Sequence, residues 1–100
     1  MLPKDNLYTF DEEDIVIAPS SKGVYSLYKA GEVIYIGKAE SEGGIRERLL
    51  SHLHGEELCT KQATAYRCEV HDSPSARERE LLLEYRLAHG RLPVCNERID

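Results

Sequence analysis

Two side chains that could act on a phosphate ester lie four residues apart in this chain. Arg48 and His52 fall in a stretch with helical spacing of apolar residues, so they share one face of the expected helix. Arg48 offers a planar, permanently charged fork for phosphate oxygens, and His52 can accept a proton near neutral pH. Taken alone, each is more typical of a solvated helix face, with Arg48 paired to Glu42 or Glu47.

Two phenols and a carboxylate could complete such a site. Tyr25 and Tyr35 could contact or deprotonate a water, but a phenol with a pKa of ~10 needs a nearby cation to act as a base, and Lys38 is a candidate. Glu84, within an apolar stretch, offers the hard oxygen ligands that Mg²⁺ prefers. The ordinary interpretations are hairpin packing for the tyrosines and an exposed helix position for Glu84. Glu80, one turn earlier, is the rival carboxylate.

The elements that must position these groups follow from the pattern of apolar residues. Five segments carry the pattern of a strand or a helix, in the order strand, strand, helix, strand, helix: residues 23–28, 33–37, 45–53, 64–70, and a last helix that starts within residues 72–75, capped by Ser73 or Ser75, and runs to about residue 89. Residues 29–32 form the turn between the first two strands, and Gly90 ends the last helix. The expected fold is α+β, with a small three-stranded antiparallel sheet flanked by helices.

The length and composition indicate one modest domain. The chain has 100 residues, of which 41% are hydrophobic. Even its longest apolar runs are too short to span a membrane. We expect residues 1–21 to form a leader element packed on a catalytic core at residues 22–97. Since the N-terminus does not read as a signal peptide, a soluble cytoplasmic protein without membrane association is expected.

The cysteines and the net charge exclude some classes of protein. Cys59, Cys68 and Cys95 are odd in number and lack a Cys-x-x-Cys pair, so we expect reduced packing thiols rather than a disulfide framework or a structural zinc site. A zinc chelate of Cys59 with His52 and His54 is disfavoured because the two histidines point apart on a helix. The net charge of -5 argues against a tight, sequence-independent grip on nucleic acid.

The two expected strands carry a specific signature. They contain Gly23-Val24-Tyr25 and Tyr35-Ile36-Gly37, and Lys38 follows directly. This pair of tripeptides at hairpin spacing resembles the GIY-YIG nuclease family. The resemblance covers about residues 15 to 97, and it continues in the family's order through the following residues: Arg48, Leu49, His52, Glu84, Pro93 and Asn96. Val24 replaces the nominal Ile, and His52 stands where some members have Tyr.

The resemblance implies an activity and a set of site residues. It implies an endonuclease that hydrolyses DNA phosphodiester bonds with one divalent cation, Mg²⁺ or Mn²⁺, held by Glu84. The interval from Glu84 to Asn96 matches the family's pattern, whereas that from Glu80 does not. Tyr25 is favoured as base or base partner, and Tyr35 as a positioning group. The other catalytic residues that the resemblance implies are Lys38, Arg48, His52 and Asn96.

Two alternatives remain at this point. The chain could be a non-cutting module that keeps the fold and binds protein or nucleic acid. It could also act only beside a protein partner that supplies DNA affinity, because family members commonly join this domain to separate DNA-binding domains. The resemblance implies DNA as the substrate, with branched or damaged DNA among the options, and a role in repair or recombination.

Overall fold

A computed structural model describes residues 6–96 as an antiparallel sheet with helices on both faces. The strands follow the order β1-β4-β2-β3 across the sheet, and every neighbouring pair is antiparallel. The elements in chain order are β1 (Tyr8–Thr9), α1 (Glu12–Ile15), β2 (Gly23–Lys29), β3 (Glu32–Ala39), α2 (Gly44–His54), α3 (Leu58–Lys61), β4 (Ala65–Val70) and α4 (Pro74–His89). The predicted α+β class is therefore confirmed.

The sheet has four strands, so the predicted count of three was wrong. The additional strand, β1, has two residues, and Tyr8 pairs with Tyr66 while Thr9 pairs with Ala65 on β4. Two residues are too few for an alternating pattern to appear in a sequence. The segment behind β1, expected to be a leader, places Phe10 and Ile15 in the main core. Residues 1–5 of that segment, and residue 97 at the expected end of the core, lie outside the described residues.

The central hairpin of β2 and β3 has its turn where the sequence predicts it. Its turn places Ala30 at φ 53° and Gly31 at φ 81°, the two positive φ angles that a type I′ turn requires. Tyr25 lies opposite Gly37, and Leu27 lies opposite Tyr35. Residues directly opposite one another in an antiparallel pair project from the same face. The hairpin therefore carries both tyrosines of the sequence signature on one face of the sheet.

Helices α2 and α4 cover opposite faces of the sheet. Ile45 and Leu49 of α2 are buried in the core that contains Tyr25 and Leu27. On the other face, Leu81 of α4 packs with buried side chains of β2 and β3, namely Val24 and Ile36. Gly90, at φ 75°, ends α4 at the predicted position. Among the described residues, no helix has the length and apolar character needed to cross a bilayer.

A disulfide joins α3 to the C-terminal loop. Cys59 and Cys95 are bonded across a sequence separation of 36 residues, so the expectation of reduced thiols was wrong for this pair. Cys68 is a buried thiol in the main core, in accord with the packing role expected of it. The pairing arises because the loop runs along the outer edge of β3, where Cys95 N–H donates to the Ile34 carbonyl at 2.8 Å.

Reduction of the disulfide should lower the stability of the domain without changing its fold. The bond closes a loop of about 36 residues, and loops of that length contribute roughly 2–4 kcal/mol by restricting the unfolded chain. Urea unfolding with and without a thiol reductant measures this loss. The double variant Cys59→Ser/Cys95→Ser is the control, because the reductant should have no further effect on it. An unchanged unfolding midpoint after complete reduction of the wild type would contradict the expectation.

Candidate active site

The absence of a side chain at Gly37 creates the space for Tyr25. A Cβ at position 37 would lie 2.6 Å from both Cζ and the hydroxyl oxygen of Tyr25, and 2.7 Å from Cε2 of Tyr35. The Tyr25 ring therefore lies across β3 and comes within 6.2 Å of the Tyr35 ring, centroid to centroid. Tyr25 is completely buried, whereas Tyr35 is partly exposed.

His52 on α2 contacts both tyrosines. Its Nε2 lies 2.8 Å from the Tyr25 hydroxyl, and its ring meets the Tyr35 ring edge-on at 5.2 Å between centroids. Its Nδ1 lies 3.2 Å from the hydroxyl of Thr60 on α3. The imidazole is thus held at both nitrogens, and it connects the hairpin to two helices.

The charge of Arg48 acts on the hydroxyls of both tyrosines. Burial raises the pKa of Tyr25, and the neighbouring Tyr35 raises it further, while Arg48 opposes the shift. Burial also raises the pKa of Tyr35, again against Arg48. Both tyrosines are therefore neutral phenols at neutral pH, and Arg48 is the cation that stabilises an anion developing beside them.

His52 is neutral at neutral pH. Burial, followed by the nearby charge of Arg48, lowers the pKa of His52 from 6.5 to about 4. A neutral imidazole carries one proton, so one ring nitrogen donates a hydrogen bond and the other accepts one. His52 can therefore take up a proton at whichever nitrogen is unprotonated.

Lys38 lies on the face of the sheet that α4 covers. Its Nζ donates to the Ser75 hydroxyl at 2.8 Å and lies 3.7 Å from Glu40, while Ser75 in turn donates to Glu40 at 2.7 Å. These contacts fix the first turn of α4 beside the end of β3. Lys38 is thus close to the site, but it is held by protein partners rather than placed against the tyrosines.

Asn96 completes the outer edge of β3. Its side-chain oxygen accepts from Ile36 N–H at 2.8 Å, and its side-chain nitrogen donates to the Ile36 carbonyl at 3.0 Å. Both polar groups of the side chain are thereby used, and the residue is 1% exposed. Asn96 therefore positions the strand that carries Tyr35 and Gly37, as a brace rather than as a group at the surface of the site.

Glu78, which the sequence did not single out, is the carboxylate of α4 whose charge reaches this cluster. Glu78 is half-buried, and its charge acts on Tyr25, Tyr35 and Arg48. Burial raises the pKa of the Glu78 carboxyl, and the charge of Lys38 opposes that shift. Three residues earlier, Ser75 anchors the same face of α4 to Lys38, so Glu78 follows one turn further along that face.

Glu84 and Glu80 occupy other parts of α4. Glu84 is exposed and lines a surface depression with four side chains of the same helix, namely Leu81, Tyr85, Ala88 and His89. It lies about 9 Å further along the axis than Glu78 and is rotated by about 240°. Glu78 and Glu84 therefore cannot face the same cluster. Glu80 pairs with Arg77 at 2.7 Å on the exposed side.

One sequence signal could have indicated Glu78. The face of α4 that packs on the sheet contains Leu81, Leu82 and Tyr85, and Glu78 precedes these residues at the i, i+3, i+4, i+7 spacing of one helix face. A carboxylate in line with a buried face is unusual without a partner. The signal needs knowledge of which face packs, which the broadly apolar sequence of α4 does not provide.

The residues of the candidate site suit a divalent cation such as Mg²⁺ that takes one ligand from the protein and the others from water and substrate. They do not suit a metal ion whose ligands all come from the protein. A single carboxylate, completed by waters and a substrate phosphate, is a usual arrangement for Mg²⁺. Within residues 6–96, no three His, Cys, Asp or Glu side chains converge as a metal site. The zinc chelate considered above is excluded for Cys59, whose sulfur forms the disulfide.

Comparisons with solved structures identify the family. Three structures of the GIY-YIG N-terminal endonuclease domain of UvrC from Thermotoga maritima match 72% of this chain and 84% of that domain. The sequence identities are 29–30% and the TM-scores 0.58–0.59. This chain belongs to the GIY-YIG family.

The three matching structures are point variants of the UvrC domain, each bound to the catalytic divalent cation. Two replace a tyrosine by phenylalanine, and the third replaces an asparagine by alanine. No protein-family model and no curated protein matches this chain. The GIY-YIG assignment therefore rests on the solved structures together with the signature in β2 and β3.

Replacing Gly37 by a residue with a side chain should disturb the packing of the two tyrosines of the site. In Gly37→Ala the new methyl group would overlap the Tyr25 and Tyr35 rings, and overpacking of this kind typically costs about 1–3 kcal/mol. We expect a lower unfolding free energy and shifted NMR signals of the His52 imidazole. Gly31→Ala is the matched control, since a Cβ there meets no atom within 4 Å and its cost comes from φ alone. Unshifted His52 signals in a folded Gly37→Ala variant would contradict the packing argument.

The low pKa of His52 should make stability depend on pH. The folded pKa of about 4 lies below the unfolded value of 6.5, so the unfolded chain binds the proton more readily. The unfolding free energy should therefore fall as pH decreases from 6.5 towards 4. His52→Gln, which cannot titrate, should show a smaller slope over that interval in urea unfolding. Equal slopes for the two proteins would contradict the assignment.

Proposed function

We propose that this domain is an endonuclease that hydrolyses phosphodiester bonds in DNA with the help of one divalent cation. The observation that carries the proposal is the hydrogen bond between Tyr25 and His52, beside which the charge of Arg48 acts on both tyrosine hydroxyls. The similarity to a GIY-YIG endonuclease domain bound to its catalytic cation gives independent support. Both the fold and the groups needed to act on a phosphate are therefore available.

The proposed chemistry is in-line hydrolysis. The oxygen of a water molecule forms a bond to phosphorus and loses a proton, which His52 takes up, while the bond from phosphorus to the 3′ oxygen breaks. That oxygen leaves as a hydroxyl after taking up a proton from solvent. Tyr35 is the phenol that can touch the attacking water, because Tyr25 is completely enclosed. Arg48, with its donor-only guanidinium, would balance the charge that develops on the phosphate oxygens.

Tyr25 acts as a partner in this scheme rather than as the group that meets water. Its hydroxyl contacts His52 Nε2, so any proton it loses has an acceptor 2.8 Å away. Burial is the larger cause of the low pKa of His52, and the charge of Arg48 is the smaller one. A phosphate beside Arg48 would offset that smaller cause and raise the pKa of His52. Substrate binding would thereby make His52 a better base at the moment when a proton has to be taken up.

Glu78 is the carboxylate that the electrostatics of the cluster favour as cation ligand, while the family spacing favours Glu84. When bound, the divalent cation would polarise the phosphate and neutralise part of its charge. Glu78 is half-buried, and its charge acts on both tyrosines and on Arg48. We therefore assign the ligand to Glu78 and keep Glu84 as the alternative that the experiment must exclude.

Cleavage of labelled DNA tests the activity and the carboxylate together. A panel of duplex, nicked, flapped and branched DNA is incubated with the wild type in Mg²⁺ or Mn²⁺, and with a chelator as the blank. We expect cation-dependent cutting that falls by about 100-fold or more in Glu78→Gln and persists in Glu84→Gln. The two substitutions are matched because each replaces one carboxylate of α4 by its neutral isostere.

Cutting that is lost in Glu84→Gln and persists in Glu78→Gln would assign the ligand to Glu84. Cutting that both variants retain would contradict a carboxylate-held cation on α4. No cutting by the pure wild type on any substrate would overturn the proposal for the isolated domain. It would leave a module that needs a partner or binds without cutting.

The net charge of the chain favours the alternative function, a module that needs a partner or binds without cutting. At -5, the protein repels a polyanion at long range, and non-specific DNA affinity depends on neutralising phosphates with Lys and Arg. Cations do occur beside the site, since Lys22 and Arg79 line a depression of about 430 Å³ at the start of α4. Glu40 and Asp72 line the same depression and reduce its attraction for phosphate.

A further inference from the structure

Thr60 belongs to a continuous chain of hydrogen bonds that ends at Tyr25. The Thr60 hydroxyl lies 3.2 Å from His52 Nδ1 and 3.3 Å from the Glu57 carbonyl, while His52 Nε2 contacts the Tyr25 hydroxyl. Thr60 is 2% exposed, so these protein partners replace water around its hydroxyl. The family signature does not include this residue, which lies on the short helix α3.

The Thr60 end of the chain has a defined direction. A carbonyl oxygen can only accept, so the one hydroxyl proton of Thr60 is donated to Glu57. The Thr60 oxygen is then an acceptor towards His52, which requires a proton on Nδ1. Because His52 is neutral, Nε2 is left unprotonated and able to accept.

The Tyr25 end is consistent with the same direction. The charge of Arg48 acts on the Tyr25 hydroxyl, and a cation favours the lone pairs of that oxygen over its proton. The phenolic proton of Tyr25 then points away from Arg48 and towards His52 Nε2, 2.8 Å away. The hydrogen bonds of Thr60 and the charge of Arg48 therefore both favour the Nδ1-protonated form of His52.

We propose that Thr60 is a positioning residue that selects the Nδ1-protonated tautomer of His52 and thereby directs the Tyr25 hydroxyl. The significance of this for DNA cleavage rests on the proposed function. In the other tautomer, Nε2 would carry the proton and the Tyr25 O–H would turn towards Arg48. The guanidinium would then face a proton instead of lone pairs, and the charge aimed at the phosphate would be displaced.

The tautomer of His52 can be measured without any activity. Nitrogen-15 NMR of the imidazole distinguishes a protonated ring nitrogen from an unprotonated one, and the spectrum is recorded at pH 7, above the low pKa of His52. We expect the wild type to carry its proton on Nδ1. A wild type with the proton on Nε2 would overturn the proposal whatever the variants do.

Two substitutions at one position separate the hydroxyl from the packing. Thr60→Val keeps the shape and removes the hydroxyl, so His52 should lose its preference for Nδ1. Thr60→Ser restores the hydroxyl and should restore that tautomer. Thr64→Val is the control, because it removes a hydroxyl that contacts the Tyr28 carbonyl, away from His52. A folded Thr60→Val protein that keeps the proton on Nδ1 would overturn the proposal, as would a folded Thr60→Ser protein that loses it.

Cleavage kinetics then test the consequence. In Thr60→Val we expect kcat/KM to fall by about 10- to 100-fold, the usual effect of removing a group that orients a functional histidine. Thr60→Ser should recover most of this loss, and Thr64→Val should match the wild type. Unchanged kinetics in Thr60→Val would overturn the role of Thr60 in cutting. If the wild type cuts no DNA, the proposed function fails, and the NMR result still decides the role of Thr60.

Discussion

The hydrogen bond between the Tyr25 hydroxyl and His52 Nε2 is the interaction on which the arrangement of the site depends. It joins the central hairpin to α2, the helix that also carries Arg48. It forms because Gly37 leaves room for the Tyr25 ring, and it is enclosed because Tyr25 is completely buried. Burial in this cluster lowers the pKa of His52 and raises the pKa values of both phenols. The space left at Gly37 is thus one condition for the cluster in which these shifts arise.

The parts of the fold that depend on local pattern could be predicted from the sequence. The hairpin has its turn where a glycine permits a positive φ, and α4 ends at another glycine with a positive φ, Gly90. Arg48 and His52 share a face because they are one helical turn apart. The family resemblance adds what local pattern lacks, namely that this helix faces the hairpin. Tyr25, Tyr35, Arg48 and His52 therefore came together as the resemblance implies.

The features that the sequence did not predict depend on contacts distant along the chain. The Cys59–Cys95 disulfide forms only after the C-terminal loop has aligned with β3, and odd cysteines without close spacing give no sign of it. Glu78 could not be separated from the other glutamates of α4, because that helix has apolar residues on several sides. The choice depends on rotation about the helix axis, which Leu81 fixes by packing on Val24 and Ile36. The number of residues between a glutamate and Asn96, which lies beyond the end of α4, does not show which face of the helix packs on the sheet.

Many cations around the site already have protein partners. Arg48 faces two tyrosine hydroxyls, Lys38 donates to Ser75 beside Glu40, and Arg77 pairs with Glu69 and Glu80. A phosphate that enters must replace or share such a partner, so the gain on binding is the difference between two interactions and not a full charge pair. These contacts and the net charge of -5 indicate that the Lys and Arg side chains near the site orient its groups rather than attract DNA. For the proposed function, DNA affinity would then have to come from DNA shape or from a second protein, whereas the cluster would supply the chemistry.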